Sequence, residues 1–189
     1  DRLIEMPEVD LVIGTVERDR LLDLVGDGCA HGQAFVTRGR AAEFQDMDID
    51  GFGGRARAFV KVQEGCDAFC SFCIIPFARG RSRSRGLAST VDQVKRLVDS
   101  GHQEVVLTGV NVGEYGADLE SADVCESVDL LGLMEAVDDV PGLRRFRVSS
   151  VEVTHLSDAV IDFFAGSRRF CRHLHVPLQS GDDRVLDRM

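Results

Sequence analysis

From about residue 57 onward, stretches typical of β-strands alternate with stretches typical of α-helices. The strand candidates are residues 58–63, 104–110, 146–149 and 172–176. Helix candidates with apolar residues at helical spacing follow them, and one strand-helix repeat takes roughly 30 to 45 residues. Such alternation favours βα units on a parallel sheet. Four units are too few to close an eight-stranded barrel, so the pattern predicts an incomplete barrel or a doubly wound sheet.

Local signals predict where the helices begin and end. Thr90 and Gln93 have the spacing of a capping box, so we expect the first helix to begin at Thr90 and to stop at Gly101. We expect Thr154 to cap the third helix and Asp182 to open a fourth. With these limits, each predicted strand runs into a loop at its carboxyl end, which is the edge of a parallel sheet where ligands bind.

The first 55 residues have a different pattern. Residues 1–25 read as a short strand followed by a helix, whereas residues 26–55 are rich in glycine and polar side chains. We expect 26–55 to be a linker between the end of an upstream domain and a main domain at 56–189, with a long surface loop of a single domain as the alternative. The chain starts at Asp1 and ends at Met189 without a helix-ending signal, so we expect it to be a piece of a longer protein.

Composition narrows the class of protein. The 32 acidic side chains outnumber the 22 Lys and Arg and give a formal charge of −10, which argues against a protein that coats nucleic acid indiscriminately but allows a local basic site. Apolar residues make up 44%, so a wholly disordered chain is excluded. The sequence has no apolar run of about 18 residues and no secretion signal. We therefore expect no membrane span and a cytoplasmic location.

Three of the six cysteines lie within eight residues: Cys66, Cys70 and Cys73. This is not the spacing of a disulfide framework. Structural zinc sites and electron-transfer clusters use four protein ligands, so three thiolates predict a metal or cluster site with one open position. A zinc site completed by a histidine or a remote cysteine is the alternative. Cys125 and Cys171 are expected to be small buried or loop thiols without chemistry, and the nearest remote cysteine, Cys29, lies in the predicted linker.

The pattern Cys66-x3-Cys70-x-Phe72-Cys73 resembles the signature of radical S-adenosylmethionine (radical SAM) enzymes. The resemblance implies a partial (βα) radical SAM barrel of about four βα units, preceded by the end of an α/β N-terminal domain. It implies that the three thiolates hold a [4Fe–4S] cluster whose open iron binds S-adenosylmethionine (SAM). An electron from a reducing partner would then cleave SAM to a 5′-deoxyadenosyl radical. Phe72 would lie near the adenine of SAM.

Further segments resemble the methylthiotransferase branch of this superfamily. They are residues 59–66, 73–76, 78–80, 83–85, 107–111, 115–116, 147–150 and 173–181. The resemblance covers about the whole chain and is most specific over 57–189. Within the branch, segments 83–85, 108–111 and 141–143 most resemble the enzymes that act on threonylcarbamoyladenosine in tRNA. Enzymes for isopentenyladenosine in tRNA, or for an aspartate of a ribosomal protein, resemble the chain less at 108–111 and remain alternatives.

The resemblance implies addition of a methylthio group to C2 of threonylcarbamoyladenosine next to the anticodon. Members of the branch hold a second [4Fe–4S] cluster, which delivers sulfur, with three cysteines of an N-terminal domain, and they carry a C-terminal RNA-binding domain. Residues 1–25 resemble the end of that N-terminal domain, and Cys29 matches no ligand position. The chain alone is therefore expected not to turn over. An alternative of another class is a non-catalytic iron–sulfur or zinc module.

Four arginines alternate with small residues directly after the cysteines: Arg79, Arg81, Arg83 and Arg85. No acidic residue lies between Asp67 and Asp92, so this segment is a local cationic strip on an acidic chain. Guanidinium groups pair bidentately with phosphate, and the strip is a candidate contact for the anticodon stem-loop of tRNA. A solvated arginine loop is the alternative.

Other candidate cofactor contacts lie at the ends of the predicted strands: Gly109, Asn111, Ser149 and Gln179. A glycine such as Gly109 lets the backbone approach a cofactor closely, and the alternative is a plain turn. Ser149 offers a hydroxyl for the ribose or carboxylate of SAM, and the alternative is a segment that leads into a helix cap. His173 and His175 share a face of the fourth predicted strand, which could point into the barrel mouth; the alternative is a satisfied core residue, the more common role of a lone histidine in a strand.

Overall fold

The computed structural model describes residues 2–26, 28, 31–37, 43–119 and 128–189. Contacts divide the chain into two compact units, Asp1–Met47 and Asp48–Met189. The elements of the first unit are β1 (Leu11–Ile13), a 3₁₀ helix (Arg18–Arg20), α1 (Leu21–Gly26) and β2 (Gln33–Phe35). The strand and helix predicted for 1–25 are confirmed. β2 pairs in parallel with β1 and lies within 26–55, the predicted linker. The proposed domain limits at 25 and 55 stay a prediction.

The second unit alternates strands and helices. Its elements are β3 (Arg57–Lys61), β4 (Gln63–Glu64), α2 (Ile75–Ala78), β5 (Arg83–Ser84), α3 (Leu87–Asp99), β6 (Glu104–Thr108), α4 (Leu130–Asp138), β7 (Arg145–Val148), α5 (Asp158–Gly166) and α6 (Asp183–Leu186), with 3₁₀ helices at Val112–Glu114 and Val153–His155. Strands β3, β6 and β7 form a parallel sheet in that order, and β4 pairs antiparallel with β5. The expectation of a mixed α/β fold on a parallel sheet is confirmed.

The sheet buries one face and keeps charge on the other, because successive strand side chains point to opposite sides. Ala58 and Val60 of β3 are buried with Val105 and Leu107 of β6 and with Phe146 of β7. Buried side chains of α3, α4 and α5 complete the same core, so these helices cover that face. The opposite face carries several charged side chains: Arg57, Lys61, Glu104, Arg145 and Arg147.

The predicted capping box is wrong. Helix α3 begins at Leu87, with Gly86 as its N-cap, and Thr90 donates a hydrogen bond to the Gly86 carbonyl at 3.0 Å from inside the helix. Gln93 is buried and pairs with the backbone of Ile49 in both directions, at 2.7 and 3.2 Å. The Gln93 side chain, which was expected to complete the capping box, instead contacts a residue 44 positions earlier in the chain. The predicted end of α3 at residue 101 is confirmed within two residues.

The cap predicted for the third helix is also wrong, and that for the fourth is confirmed. Thr154 lies in a 3₁₀ helix, and Ser157 caps α5 by accepting a hydrogen bond from the Val160 N–H at 3.3 Å. Asp182 caps α6 and accepts from the Arg184 N–H at 2.9 Å. Ser157, three residues after Thr154, therefore has the N-cap role that was expected of Thr154.

The fourth predicted strand, 172–176, does not form. Phe170 makes one parallel bridge with Phe146 of β7, and the Val151 N–H donates to the His175 carbonyl at 3.1 Å. The His173 N–H donates to the carbonyl of Cys171 at 2.6 Å, so the segment turns locally and makes no regular ladder. Three parallel strands and one bridge thus replace the four strands expected. No helix in the described part of the chain has the length and apolarity to cross a membrane.

Candidate functional site

The three clustered cysteines lie on an irregular loop between β4 and α2, beyond the carboxyl end of β3. Cys66, Cys70 and Cys73 are half-buried and free of disulfides. The loop is closed by hydrogen bonds from the Cys66 N–H to the Gly80 carbonyl at 3.2 Å and from the Cys73 N–H to the Cys70 carbonyl at 2.9 Å. Residues 66–73 thus form one surface loop at the ligand-binding edge of the sheet.

The donor set of this loop fits a soft metal cluster. Three free thiols on one loop match thiolate ligation of iron and sulfur, and two of them are separated by only two residues. Among the described residues, no group of three His, Cys, Asp or Glu side chains is placed to hold a metal ion. The loop therefore carries the right ligand chemistry, and the thiols are not gathered into a ligand set in this structure.

Cys66 is the thiol most enclosed by other groups. Its Sγ accepts hydrogen bonds from the Ala68 N–H at 3.4 Å and from Asn111 Nδ2 at 3.8 Å, and it lies 3.9 Å from a Glu114 carboxylate oxygen. Burial raises the pKa of the Cys66 thiol, and the Glu114 charge adds to this, while the two N–H donors oppose it. Glu114 also accepts from the Asp67 N–H at 3.1 Å. The loop after β6 therefore holds the first cysteine in place.

Gln63, which the sequence analysis did not select, joins the cysteine loop to the loop after β6. Its side chain is fully buried. Its Nε2 donates to the Gly65 carbonyl at 2.8 Å and to Ser82 Oγ at 2.9 Å. Its Oε1 accepts from the N–H groups of Val110 and Asn111 at 3.0 and 2.9 Å. One amide thus fixes the start of the cysteine loop against the segment that carries Asn111.

Two glycines allow close backbone approaches around the cysteine loop. A Cβ on Gly65 would lie 1.9 Å from the Arg81 carbonyl oxygen, and the φ of Gly65 is 77°. A Cβ on Gly109 would lie 2.9 Å from both the backbone and the side chain of Gln63. Gly109 was expected to permit a close approach to a cofactor. In the structure, its close neighbour is Gln63, and cofactor contact stays a prediction.

Two of the predicted cofactor contacts carry buried oxygens without partners. Asn111 Oδ1 and Ser149 Oγ have no hydrogen bond within the described part of the chain. Ser149 lines a cleft of about 380 Å³ together with Phe59, His173 and His175. Buried polar atoms normally have partners, so both oxygens are suited to a polar ligand at the sheet edge.

The remaining two predicted cofactor contacts are exposed. Phe72 is 58% exposed beside Cys73. Gln179 has a left-handed backbone, with a φ of 64°, and donates from Nε2 to the Glu152 carboxylate at 3.2 Å. Their cofactor roles stay predictions. The half-buried thiol Cys171 lies outside the loop, and Cys29 and Cys125 lie outside the described residues.

Arg83 and Arg85 do not belong to an exposed strip, and that expectation is wrong for both. Their side chains are 5% and 2% exposed. Arg83 Nη1 donates to the carbonyls of Arg79 and Arg81 at 3.1 and 3.0 Å. Arg85 pairs with Asp48 at 2.6 Å, and its Nε donates to Ser89 Oγ at 3.0 Å. Sequence spacing showed that the four arginines are close together, but tertiary contacts determine that these two are structural.

Arg79 and Arg81 keep exposed guanidinium groups. Arg79 is 45% exposed and donates to Glu64 at 3.1 Å, and Arg81 is 63% exposed and pairs with Asp67 at 2.7 Å. Both therefore present cationic surface next to the cysteine loop, while one edge of each is held by a carboxylate. The role of contacting phosphate stays a prediction for these two arginines.

Comparisons with known proteins show which family the chain matches. Residues 60–189 match the profile of the radical SAM superfamily. The chain is 37% identical over 192 residues to the threonylcarbamoyladenosine tRNA methylthiotransferase of Bacillus subtilis (strain 168), covering 99% of the chain and 41% of that protein. It is also 37% identical over 198 residues to the tRNA-2-methylthio-N(6)-dimethylallyladenosine synthase of Syntrophotalea carbinolica, covering 43% of it. The chain thus spans about two fifths of the length of these curated relatives.

The fold also has a solved counterpart. A radical S-adenosylmethionine methyltransferase, TsrM, from Kitasatospora setae, solved with tryptophan and a SAM analogue, superposes with a TM-score of 0.53. The match covers 69% of this chain and 23% of the other, at 21% sequence identity. At that identity the likeness concerns the fold alone.

Proposed function

The chain belongs to the radical SAM superfamily, and we propose that it forms the cluster-binding part of a methylthiotransferase acting on C2 of threonylcarbamoyladenosine next to the anticodon of tRNA. The observation that carries the reaction is the 37% identity to a tRNA methylthiotransferase along 99% of the chain. The resemblance of segments 83–85, 108–111 and 141–143 favours threonylcarbamoyladenosine as the nucleoside. The superfamily implies a [4Fe–4S] cluster and SAM as cofactors. The cytoplasm is the corresponding location, because tRNA is modified there.

In this proposal, Cys66, Cys70 and Cys73 are the three protein ligands of the cluster. When bound, the cluster supplies one-electron reductive cleavage of SAM, and it needs an external electron donor. The chain's own residues position this site: Asn111, in the loop after β6, donates to the Cys66 sulfur, and Gln63 of β4 holds the Asn111 backbone in place. A second cluster that delivers sulfur would come from outside this chain, so the chain alone is not expected to complete the transfer.

The proposal assigns tRNA contact to Arg79 and Arg81. Both guanidinium groups are exposed next to the cysteine loop, and guanidinium recognises phosphate bidentately. Each carboxylate partner already accepts other hydrogen bonds: Glu64 from Lys61 and Asp67 from the Ser82 N–H. Glu64 and Asp67 would therefore each keep a hydrogen-bond donor when Arg79 and Arg81 turn toward phosphate. Neutralising both arginines should weaken binding to RNA of any sequence and reduce its salt dependence.

A second candidate substrate is dimethylallyladenosine in tRNA. It is favoured by the equal 37% identity to the dimethylallyladenosine synthase of Syntrophotalea carbinolica, which covers the whole chain. Both candidates share the cluster, SAM and a tRNA loop, and they differ in the group attached to N6 of the target adenosine.

Mass spectrometry of tRNA nucleosides separates these candidates. The complete protein that contains this chain, including the part that supplies the second cluster, is produced in hosts that lack either activity, as wild type, with Cys70→Ala, or with Cys171→Ala. We expect methylthio-threonylcarbamoyladenosine with the wild type and with Cys171→Ala, which changes a thiol outside the loop, and none with Cys70→Ala. A product carrying a dimethylallyl group would establish the second candidate, and no methylthio nucleoside in either host would refute both.

The cluster assignment has a separate readout. The chain is reconstituted anaerobically with iron and sulfide, and the reduced protein is measured by electron paramagnetic resonance with and without SAM. We expect a [4Fe–4S]⁺ signal that SAM perturbs, that is kept in Cys171→Ala and that is lost in Cys70→Ala. Tightly bound zinc, or a signal that does not respond to SAM, would instead show a binding or electron-transfer module.

A further inference from the structure

Large apolar side chains are exposed next to the cysteine loop. Four of them occur within nine residues and are 40–68% exposed: Phe69, Phe72, Ile74 and Phe77. Single exposed apolar residues are ordinary, whereas a contiguous group indicates a contact surface. The rings of Phe69 and Phe77 are in contact, with centroids 5.6 Å apart and planes at 81°. These two rings therefore form one continuous patch.

A guanidinium group extends this patch. Arg81 lies over the Phe69 ring, with its Cζ 5.4 Å from the ring centroid, and its side chain is 63% exposed. Asp67 pairs with Arg81 at 2.7 Å in this arrangement. We call Phe69, Phe77 and Arg81 the aromatic surface. It offers planar groups that are already oriented and still open to solvent.

The backbone at Phe69 indicates that this exposure is functional. Its φ is 50°, and in the part of the chain that the structure describes only Gln179 shares a positive φ among non-glycine residues. A bulky side chain in this conformation is strained, and such strain persists at sites where geometry serves function. Burial does not explain it, because the Phe69 ring is 40% exposed.

The charged groups around the aromatic surface indicate which class of ligand it binds. Two exposed guanidinium groups, Arg79 and Arg81, lie beside the aromatic rings, although the whole chain has a net charge of −10. A purely apolar protein partner would not require these exposed cations. Aromatic rings beside exposed guanidinium planes are the combination that binds unpaired nucleobases by stacking.

We propose that the aromatic surface stacks unpaired bases of an RNA loop that flank the reacting nucleotide. The proposal rests on the proposed function and deepens it, because it gives the tRNA loop a base-binding surface beside the cluster loop. Phosphate contacts by Arg79 act on any RNA, whereas stacking acts only where bases are unpaired. A double-stranded RNA therefore serves as the internal reference.

The test compares an anticodon stem-loop RNA with a duplex of the same stem, using the full reconstituted chain under anaerobic conditions. The variants are Phe69→Gly, which suits the left-handed backbone, and Phe77→Ala, on the exposed side of α2. We expect each to weaken stem-loop binding between about fivefold and a hundredfold and to leave duplex binding unchanged. Ile161→Ala removes a side chain of α5 that is 49% exposed and should change neither affinity.

Arg81→Lys and Arg81→Gln refine the test, because lysine keeps the charge and loses the planar stacking group. We expect both to weaken stem-loop binding, and only the glutamine to weaken duplex binding. Equal affinities of the wild type for stem-loop and duplex, or phenylalanine variants that weaken neither RNA or both equally, would overturn the proposal. Phenylalanine variants that keep RNA affinity but destabilise the protein would overturn it in favour of a packing role within the fold.

Failure of the proposed function has a different signature. It would show as the absence of a methylthio nucleoside in the mass spectrometry experiment, whatever the RNA affinities are. A stem-loop preference that depends on Phe69 and Phe77, without methylthio product, would leave the aromatic surface standing and refute the reaction. Methylthio product formed with full stem-loop affinity in Phe69→Gly would refute the surface and leave the reaction standing.

Discussion

At the scale of single residues, Gln63 uses both ends of its amide inside the protein. It donates to two oxygens near the cysteine loop and accepts from two N–H groups of the loop after β6. Loss of such a side chain leaves several buried polar groups without partners, and each then carries its own desolvation cost. Gln63 is therefore a positioning residue for Cys66 and has no direct chemical role.

We predict that Gln63→Met, which has similar volume and no amide, lowers the free energy of unfolding by about 2–4 kcal/mol. It should also reduce the iron bound on reconstitution, because Asn111 loses a fixed position next to the Cys66 sulfur. Urea unfolding and iron analysis measure the two effects. Gln103→Met changes an exposed glutamine and is the matched control. Unchanged stability and iron content in Gln63→Met would refute the positioning role.

At this scale, the sequence predicted which residues could bind a metal cluster better than it predicted which side chains are buried. The spacing of Cys66, Cys70 and Cys73 identified the cysteine loop, because ligand spacing is a local property. The burial of Arg85 could not be predicted in the same way, because it depends on Asp48, a partner 37 residues away. Gln63 lies in the family-like segment 59–66, but nothing local indicates its positioning role, since that role comes from contacts with residues distant in sequence.

At the scale of elements, one buried carboxylate joins the three parallel strands. Glu104 of β6 pairs with Arg57 of β3 at 2.6 Å, with Arg147 of β7 at 2.8 Å and with Arg145 of β7. Burial acts to raise the pKa of Glu104, but hydrogen bonds from Arg147 and Arg145 and the Arg57 charge outweigh it, so the pKa is lowered. The ion-pair network therefore favours the folded sheet while Glu104 is ionised.

We predict that Glu104→Gln destabilises the protein by about 2–4 kcal/mol at neutral pH, because three arginines lose a buried counter-charge. The folded-state pKa of Glu104 lies below the ordinary value, so its stabilisation is complete above the ordinary glutamate range and is lost as pH falls through the folded pKa. The stability gap between wild type and variant should shrink with acid. Glu135→Gln, at an exposed position of α4, is the control, and a gap independent of pH would contradict the prediction.

Local sequence signals predicted the order of the helices and strands correctly, but they misplaced the start of two helices. Apolar periodicity predicted α3, α4 and α5, because each buries an apolar face in the common core. The caps at Thr90 and Thr154 were misplaced, because nearby Gly86 and Ser157 take those positions. The predicted strand at 172–176 does not form, although its residues alternate as in a strand. Its backbone makes no regular hydrogen-bond ladder beyond the bridge between Phe170 and Phe146.

At the scale of the whole molecule, the second unit begins before β3, because residues 48–55 make contacts within it. Asp48 pairs with the buried Arg85 at 2.6 Å and with Arg96 at 2.7 Å. The hydrogen bond from Arg85 is the largest cause that lowers the pKa of Asp48, and the charge of Arg96 contributes to it. Residues 48–55 therefore belong to this unit by contact, although their composition resembles a linker.

Two further contacts of this segment face the same unit. The backbone of Ile49 pairs with the Gln93 side chain, and the Phe52 N–H donates to His102 Nε2 at 3.2 Å. The Phe52 ring packs edge-on against His102 and Phe59 at 6.0 Å. Composition alone could not reveal these contacts, because glycine and acidic residues are typical both of linkers and of ordered segments that cover a core.

We predict that a chain starting at residue 48 unfolds with the stability of the second unit in the full chain, whereas a chain starting at residue 56 loses at least about 2 kcal/mol. The shorter chain leaves Arg85 buried without Asp48 and removes the partners of Gln93 and His102. Urea unfolding of both chains beside the full chain measures this difference. Asp48→Asn in the full chain isolates the charge and should account for part of the loss. Equal midpoints for the two shortened chains would instead support a domain limit at 56, since residues 48–55 would then add nothing to folding.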